Sequence, residues 1–242
     1  MRIEDIEYAA EGRRLVGHLA VDDARTGRRP AVLVCHEGPG LDEHAKDRAE
    51  RLAALGYAAF ALDYHGDGKR LEPERVMERL GGLMGKPDSI RQLARAGLEV
   101  LIAQPEVDPT RIAAIGYCFG GTMALELARD GADISVVVGF HSGLATQSPA
   151  KAGQVKAAIL ACIGADDPLV PTEQRIAFEE EMRAGDVDWR LYLYGRAEHS
   201  FTNPKAGDMA MAGVAYHEPT DQRTWRAMLD FFDERFGAPS TW

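Results

Sequence analysis

The chain has 242 residues, 45% hydrophobic and 27% charged, which excludes disordered, fibrous and membrane-embedded classes and suits one α/β domain. A formal net charge of -10 repels phosphate backbones and anionic lipid, so neither nucleic acid nor a membrane surface is an expected partner. Three cysteines, Cys35, Cys118 and Cys162, are too few and odd in number for a disulfide framework and fit a reducing, cytoplasmic setting.

The acidic start, with Glu4, Asp5 and Glu7, lacks the basic and apolar regions of a secretion signal. Ile3 to Tyr8 and Leu15 to Val21 read as two short strands, and Glu11-Gly12 between them predicts an antiparallel hairpin at a sheet edge. Ala31 to Cys35 is a buried strand. Asp42 caps a helix from Glu43 through Leu55, with Leu52 and Leu55 on its inner face and Gly56 as its stop. Tyr57 to Leu62 is the next strand, followed by a polar loop from Asp63 to Arg70 and helices over Glu72 to Met84 and Asp88 to Ala103. Strand Arg111 to Tyr117, helix Gly120 to Arg129, and strands Ser135 to Phe140 and Ala157 to Gly164 come next. Helix Thr172 to Ala184, strand Asp188 to Tyr194 and an amphipathic helix Thr220 to Phe236 close the chain. Short apolar strands between longer helices predict a mostly parallel sheet covered on both faces. No repeat or linker interrupts residues 1–242, so one domain is the simplest account.

The strand Ile112 to Tyr117 runs straight into Gly116-Tyr117-Cys118-Phe119-Gly120-Gly121 and then a helix. This is the form of a nucleophile elbow, in which strand, tight turn and helix thrust one side chain above the sheet. Glycines two residues before and after the nucleophile have a steric reason, because the strained turn brings backbone close to both. The helix N-terminus points its partial positive charge at Cys118, which favours a thiolate. The competing account is a buried cysteine in a glycine-rich turn.

In such an architecture the acid and the histidine follow the nucleophile in that order, each from a loop at the carboxyl end of a strand. Ala165-Asp166-Asp167-Pro168 and Gly195-Arg196-Ala197-Glu198-His199 stand at those two places. His199 would exchange the thiol proton and an acid would fix its tautomer. Asp167 is favoured over Asp166, because Pro168 and the apolar Leu169-Val170 lead its loop back towards the core.

These residues together resemble the dienelactone hydrolase family of α/β-hydrolases, over nearly the whole chain. The likeness rests on Glu37 to Leu41 with the following helix, the Gly-Tyr-Cys-Phe-Gly-Gly elbow, Gly164 to Pro171, and His199-Ser200-Phe201. It implies an α/β-hydrolase fold, hydrolysis of a small ester-like substrate, and no cofactor. It also implies that Glu37 modulates the resting thiol and that the backbone N–H groups of Phe119 and Gly38 form an oxyanion hole. One departure stands out: the family carries an arginine four residues beyond the histidine to grip a substrate carboxylate, and here that position is Asn203. A neutral ester is therefore favoured over a dienelactone. The same donors suit attack at phosphorus, so phosphotriester cleavage is a candidate secondary activity, and the resemblance extends to a member promiscuous in that way. Arg70, Arg75 and Arg79 are candidates to replace the missing charge.

His141, after another strand, and Asn203 are candidate pocket residues. A metal is not expected: His36-Glu37 would need a second histidine where Gly40 stands, and Gly38-Pro39-Gly40 breaks any helix there. Met209 to Val214 and Trp225 read as packing residues. A rival account makes the chain a redox-responsive binding protein with Cys118 as its reactive thiol.

Overall fold

The computed structural model describes residues 1–237. In chain order the elements are β1 (Arg2–Ala10), β2 (Arg13–Val21), β3 (Arg29–Cys35), α1 (Glu43–Ala54), β4 (Ala58–Leu62), α2 (Pro73–Leu83), α3 (Pro87–Ile102), β5 (Val107–Tyr117), α4 (Phe119–Arg129), β6 (Val136–Phe140), β7 (Ala158–Gly164), α5 (Thr172–Ala184), β8 (Trp189–Tyr194) and α6 (Glu218–Phe236). The eight strands form one sheet in the order β1-β2-β4-β3-β5-β6-β7-β8. β1 pairs antiparallel with β2, and β2 antiparallel with β4; every other neighbouring pair is parallel. The hairpin turns at Glu11 and Gly12, with φ of 49° and 70°, a mirror-image turn whose twist matches that of the strands it joins.

Every residue of β3, β4, β6 and β7 is buried, which explains why these strands are continuous apolar runs rather than alternating ones. Their side chains still alternate between two cores. Ala31, Leu33 and Cys35 of β3 pack with Leu93 and Ala94 of α3, Met123 of α4 and Phe178 of α5. Val32 and Val34 pack on the other face with Ala45, Ala49 and Leu52 of α1 and Phe231 and Phe232 of α6. Helices thus cover both faces, as predicted. No helix among the described residues is long and apolar enough to cross a membrane.

Asp42 caps α1 as expected, its carboxylate accepting from the N–H groups of His44 and Ala45. Leu55 departs from expectation: it is 37% exposed. The helix ends at Ala54, and the chain turns away through Gly56 at φ 103°, so Leu55 falls past the apolar stripe. β5 begins at Val107 rather than Arg111. Its pairing jumps from Arg29↔Val107 to Ala31↔Ile112, and the extra residues fold on themselves where Asp108 accepts from Thr110 and Arg111.

Candidate active site

The carboxyl ends of β5, β7 and β8 carry Cys118, Asp167 and His199 to one region. Cys118 is the N-cap of α4 and holds φ 53° and ψ -121°, a left-handed conformation unusual for a side-chain-bearing residue. The surrounding glycines make this geometry possible. A Cβ on Gly116 would lie 2.1 Å from the Gly120 carbonyl oxygen, and one on Gly120 would lie 2.2 Å from that of Cys35. Backbone cannot move aside as a flexible side chain can. The elbow is further fixed by the Cys118 N–H, which donates to Phe140 O at 3.0 Å and faces His141 Nδ1 at 3.1 Å. The thiol itself is half-buried.

His199 Nδ1 lies 2.8 Å from Asp167 Oδ2, and both side chains are almost wholly buried. Asp167 Oδ1 accepts from Leu169 N at 2.8 Å, which ties the acid to its own turn. Asp166 is exposed. Val170 re-enters the core as foreseen, whereas Leu169 stays half exposed. Among the described residues His199 Nε2 is buried without a well-formed hydrogen bond, and Cys118 is the neighbour whose sulfur acts on the ring. Burial lowers the imidazole's affinity for a proton, but the sulfur and the Asp167 hydrogen bond outweigh it, and the His199 pKa is pushed up to about 10.

The loop bearing His199 is held mainly by residues distant in sequence. Gly164 lets it approach β7, since a Cβ there would sit 2.2 Å from Ala197 O. Asp166 N donates to Ala197 O, and His199 exchanges backbone hydrogen bonds with Gly213 and Ala215. The stretch Met209 to Val214 therefore supports the histidine rather than only filling space. Beyond it, Ser200 Oγ donates to Glu37 Oε1 at 2.7 Å and Asn203 Nδ2 donates to Glu37 Oε2. Burial raises the Glu37 pKa, against the pull of these two donors. Glu37 spends its hydrogen bonds on the histidine loop, not on the thiol. Thr202 O accepts from Arg48 Nη2 at 2.8 Å, and Arg48 is in turn paired with Asp221 inside the protein.

The two expected pocket residues lie elsewhere than on an open wall. His141 is fully buried beside His199, the two rings 5.2 Å apart. Its Nδ1 faces an N–H, so Nε2 carries the proton and donates to Thr202 Oγ1 at 2.8 Å. Burial holds its pKa well below the usual range, so it stays neutral. Asn203 is spent on Glu37. Of the candidate cations, Arg70 is 3.8 Å from Asp42, Arg79 donates to Tyr64 O, and Arg75 lines a cleft of about 440 Å³ with Arg13 and His65. None of Cys118, Asp167 and His199 lines that cleft.

Gly38 follows β3 beside the elbow, and among the described residues neither its N–H nor that of Phe119 has an acceptor. Cys35 and Cys162 are fully buried, and burial pushes the Cys162 thiol up to about 12. Neither is accessible as a resolving partner for Cys118, from which a thiol sensor would benefit. Sequence reasoning missed Ser200, Thr202 and Arg48. The only local signal was the polar run Ser200, Thr202, Asn203 directly after the histidine.

A profile of the dienelactone hydrolase family matches residues 16–236. Among solved structures the chain is similar to a dienelactone hydrolase-like promiscuous phosphotriesterase from metagenomic libraries, at 42% identity and TM-score 0.92, covering 98% of this chain and 99% of that one. It is similar also to a protein called m3DLH, at 47% identity and TM-score 0.92, covering 97% and 98% of the two chains. A relative described as a probable 2-oxo-3-(5-oxofuran-2-ylidene)propanoate lactonase of Bradyrhizobium sp. is 30% identical over 207 residues, 81% of this chain and 82% of that protein.

Proposed function

The chain belongs to the dienelactone hydrolase family and is a hydrolase of ester or lactone bonds, and on that premise we propose that it works through a Cys118–His199–Asp167 triad and a covalent cysteinyl intermediate. One observation carries the reading: Asp167 holds His199 Nδ1 at 2.8 Å, leaving Nε2 for the neighbouring thiol. The thiol hands its proton to His199 Nε2, whose pKa the sulfur and the Asp167 hydrogen bond, against burial, push up to about 10, so the imidazole can hold it until the leaving group needs it.

The thiolate adds to the substrate carbonyl carbon, and the carbonyl electron pair moves onto oxygen. The free Gly38 and Phe119 N–H groups receive that charge. Collapse breaks the carbon–oxygen bond, and the departing alkoxide takes the proton from His199 Nε2, leaving a thioester on Cys118. Water then adds to the thioester while giving a proton to His199. The second collapse returns the thiolate and releases the acid; from a lactone both products are one hydroxy acid. Glu37 modulates the nucleophile at one remove, by anchoring Ser200 and Asn203 on the histidine loop. Asn203 puts no guanidinium four residues beyond the histidine, where the family grips a substrate carboxylate, which favours neutral esters. A reducing, cytoplasmic setting belongs to the same proposal, because it keeps the nucleophilic thiol free.

The test is Cys118→Ala assayed on a p-nitrophenyl ester. Turnover is expected to vanish while the thermal unfolding midpoint stays near that of the parent; an active variant would remove the mechanism.

Phosphotriester cleavage is the secondary activity we propose, supported by the 42% identity to a phosphotriesterase of this family. Attack at phosphorus develops charge on the phosphoryl oxygen, which the same N–H groups can accept. A thiolate leaves phosphorus more readily than a serine alkoxide, so the phosphorylated enzyme can turn over. A dialkyl aryl phosphate should give phenolate release well beyond one equivalent per enzyme; a burst of one equivalent that stops there would refute it.

A further inference from the structure

The peptide linking Glu37 to Gly38 is engaged at both ends of its dipole. Its N–H, on Gly38, is the free donor to which the mechanism above assigns the substrate oxygen. Its carbonyl, on Glu37, accepts from His36 Nδ1 at 2.6 Å, from the Tyr64 hydroxyl at 2.9 Å (the same hydroxyl lies farther, 3.2 Å, from His36 O) and from Gly40 N at 3.1 Å. That is one donor more than the oxygen has lone pairs.

The two side-chain donors are fully buried and locked together. The His36 and Tyr64 rings stack with centroids 3.8 Å apart and planes inclined by 14°. Burial holds His36 neutral, with its pKa well below the usual range, and keeps the Tyr64 hydroxyl protonated. Because Nδ1 faces a carbonyl oxygen, it carries the single ring proton, and Nε2 is left buried with no partner among the described residues. A phenylalanine would stack on Tyr64 without that unsatisfied nitrogen. What the imidazole adds over a hydrocarbon ring is the Nδ1–H on the Glu37 carbonyl.

Resting on the assignment of Gly38 to the oxyanion hole, we infer that His36 and Tyr64 are positioning residues for that hole: their hydrogen bonds to the Glu37 carbonyl polarise and orient the Glu37–Gly38 peptide, so that its N–H binds developing negative charge more strongly. Hydrogen bonds in a chain polarise one another by about 10–30% per bond. A whole oxyanion donor is worth about 100- to 1,000-fold in kcat. Each carbonyl-side bond is then expected to contribute about 2- to 8-fold.

Three variants test this. Tyr64→Phe and His36→Leu each remove one donor, whereas His36→Asn places an amide nitrogen where Nδ1 stood. Three quantities are read: kcat and KM on a p-nitrophenyl ester, affinity for a trifluoromethyl ketone, and the rate of Cys118 alkylation by iodoacetamide. The ketone forms an anionic tetrahedral adduct with the thiol; the alkylation passes through no oxyanion. Tyr64→Phe and His36→Leu should lose about 2- to 8-fold in kcat at unchanged KM, lose ketone affinity by the same factor, and keep the alkylation rate. His36→Asn should recover both losses. Parallel slowing of alkylation, or an asparagine variant no better than leucine, would reduce the pair to packing and overturn the inference. Should His36→Leu not fold, Tyr64→Phe decides alone: ketone affinity equal to the parent's overturns it. If the parent protein binds the trifluoromethyl ketone no better than the matching methyl ketone, the oxyanion assignment fails and this inference falls with it. Tight parental binding that the variants leave unchanged removes this inference only.

Discussion

The elbow at Gly116–Gly121 and the loop at Gly195–Asn203 deliver the two side chains proposed to react, by opposite means. In the elbow, six consecutive residues contain nearly everything required: a strand end, a helix start, and glycines whose missing Cβ atoms let backbone pass within about 2 Å of where those atoms would stand. The histidine loop has no such local code. Gly195 has open space around it, and the loop is fixed by Gly164, Asp167, Glu37, Arg48, His141 and the segment through Gly213, which are scattered over the chain. A nucleophile can be specified by sterics at one point. A base that must meet both that nucleophile and an acid has to be held from several sides.

The sharpest way to break the comparison is to add one methyl group to each region. Gly120→Ala should destabilise the protein by about 3 kcal/mol or more and abolish turnover, since its Cβ meets the Cys35 and His36 carbonyl oxygens at 2.2 and 2.3 Å. Gly195→Ala should change stability by no more than about 0.5 kcal/mol in a urea titration. Equal effects would erase the distinction.

Asp167→Asn comes next. It keeps the shape of the loop but favours the wrong imidazole tautomer, and kcat should fall by about a thousandfold or more. The sign of its pH effect follows from the causes of the His199 shift. The imidazolium that protonates the leaving group is lost as pH rises through the folded pKa, near 10. Asp167 raises that pKa both by charge and by its hydrogen bond, so in the variant the alkaline limb of the rate profile should move to lower pH. A limb that stays in place would mean that the acid does not act on His199.

A smaller loss of activity is expected from Thr202→Val. It removes the oxygen that accepts from His141 Nε2 and leaves a buried donor unpaired, at a cost of about 1–3 kcal/mol in unfolding free energy. Because Thr202 joins the elbow's His141 to the histidine loop, kcat should drop as well. Loss of stability with full activity would show that the loop needs no such tie.

The alternation of apolar strands and helices made the layered fold legible, because strands buried on both faces must be apolar throughout. Asp42, Gly56 and the Glu11-Gly12 turn marked local boundaries, since capping and positive φ are properties of single residues. Leu55 shows the limit: a side chain at helical spacing is buried only if the helix persists, and this one ends at Ala54. The elbow was readable for the same local reason as the turns. His141 was visible as a histidine after a strand, but its place between His199 and the Cys118 N–H was not, because that depends on β6 lying next to β5.

The sequence by itself determined the order of elements, the strained turn at Cys118 and which residue types close each strand, all of which follow from sterics and hydrophobic period over a few neighbouring residues. Tertiary structure alone decided that Glu37 grips Ser200 and Asn203 across more than 160 positions and that His36 and Tyr64 converge on one carbonyl, whereas Asp167 as the partner of His199 was already favoured by its own loop. Hydrogen bonds between distant residues depend on distance and direction in space, and those are settled only when the sheet has brought its strand ends together.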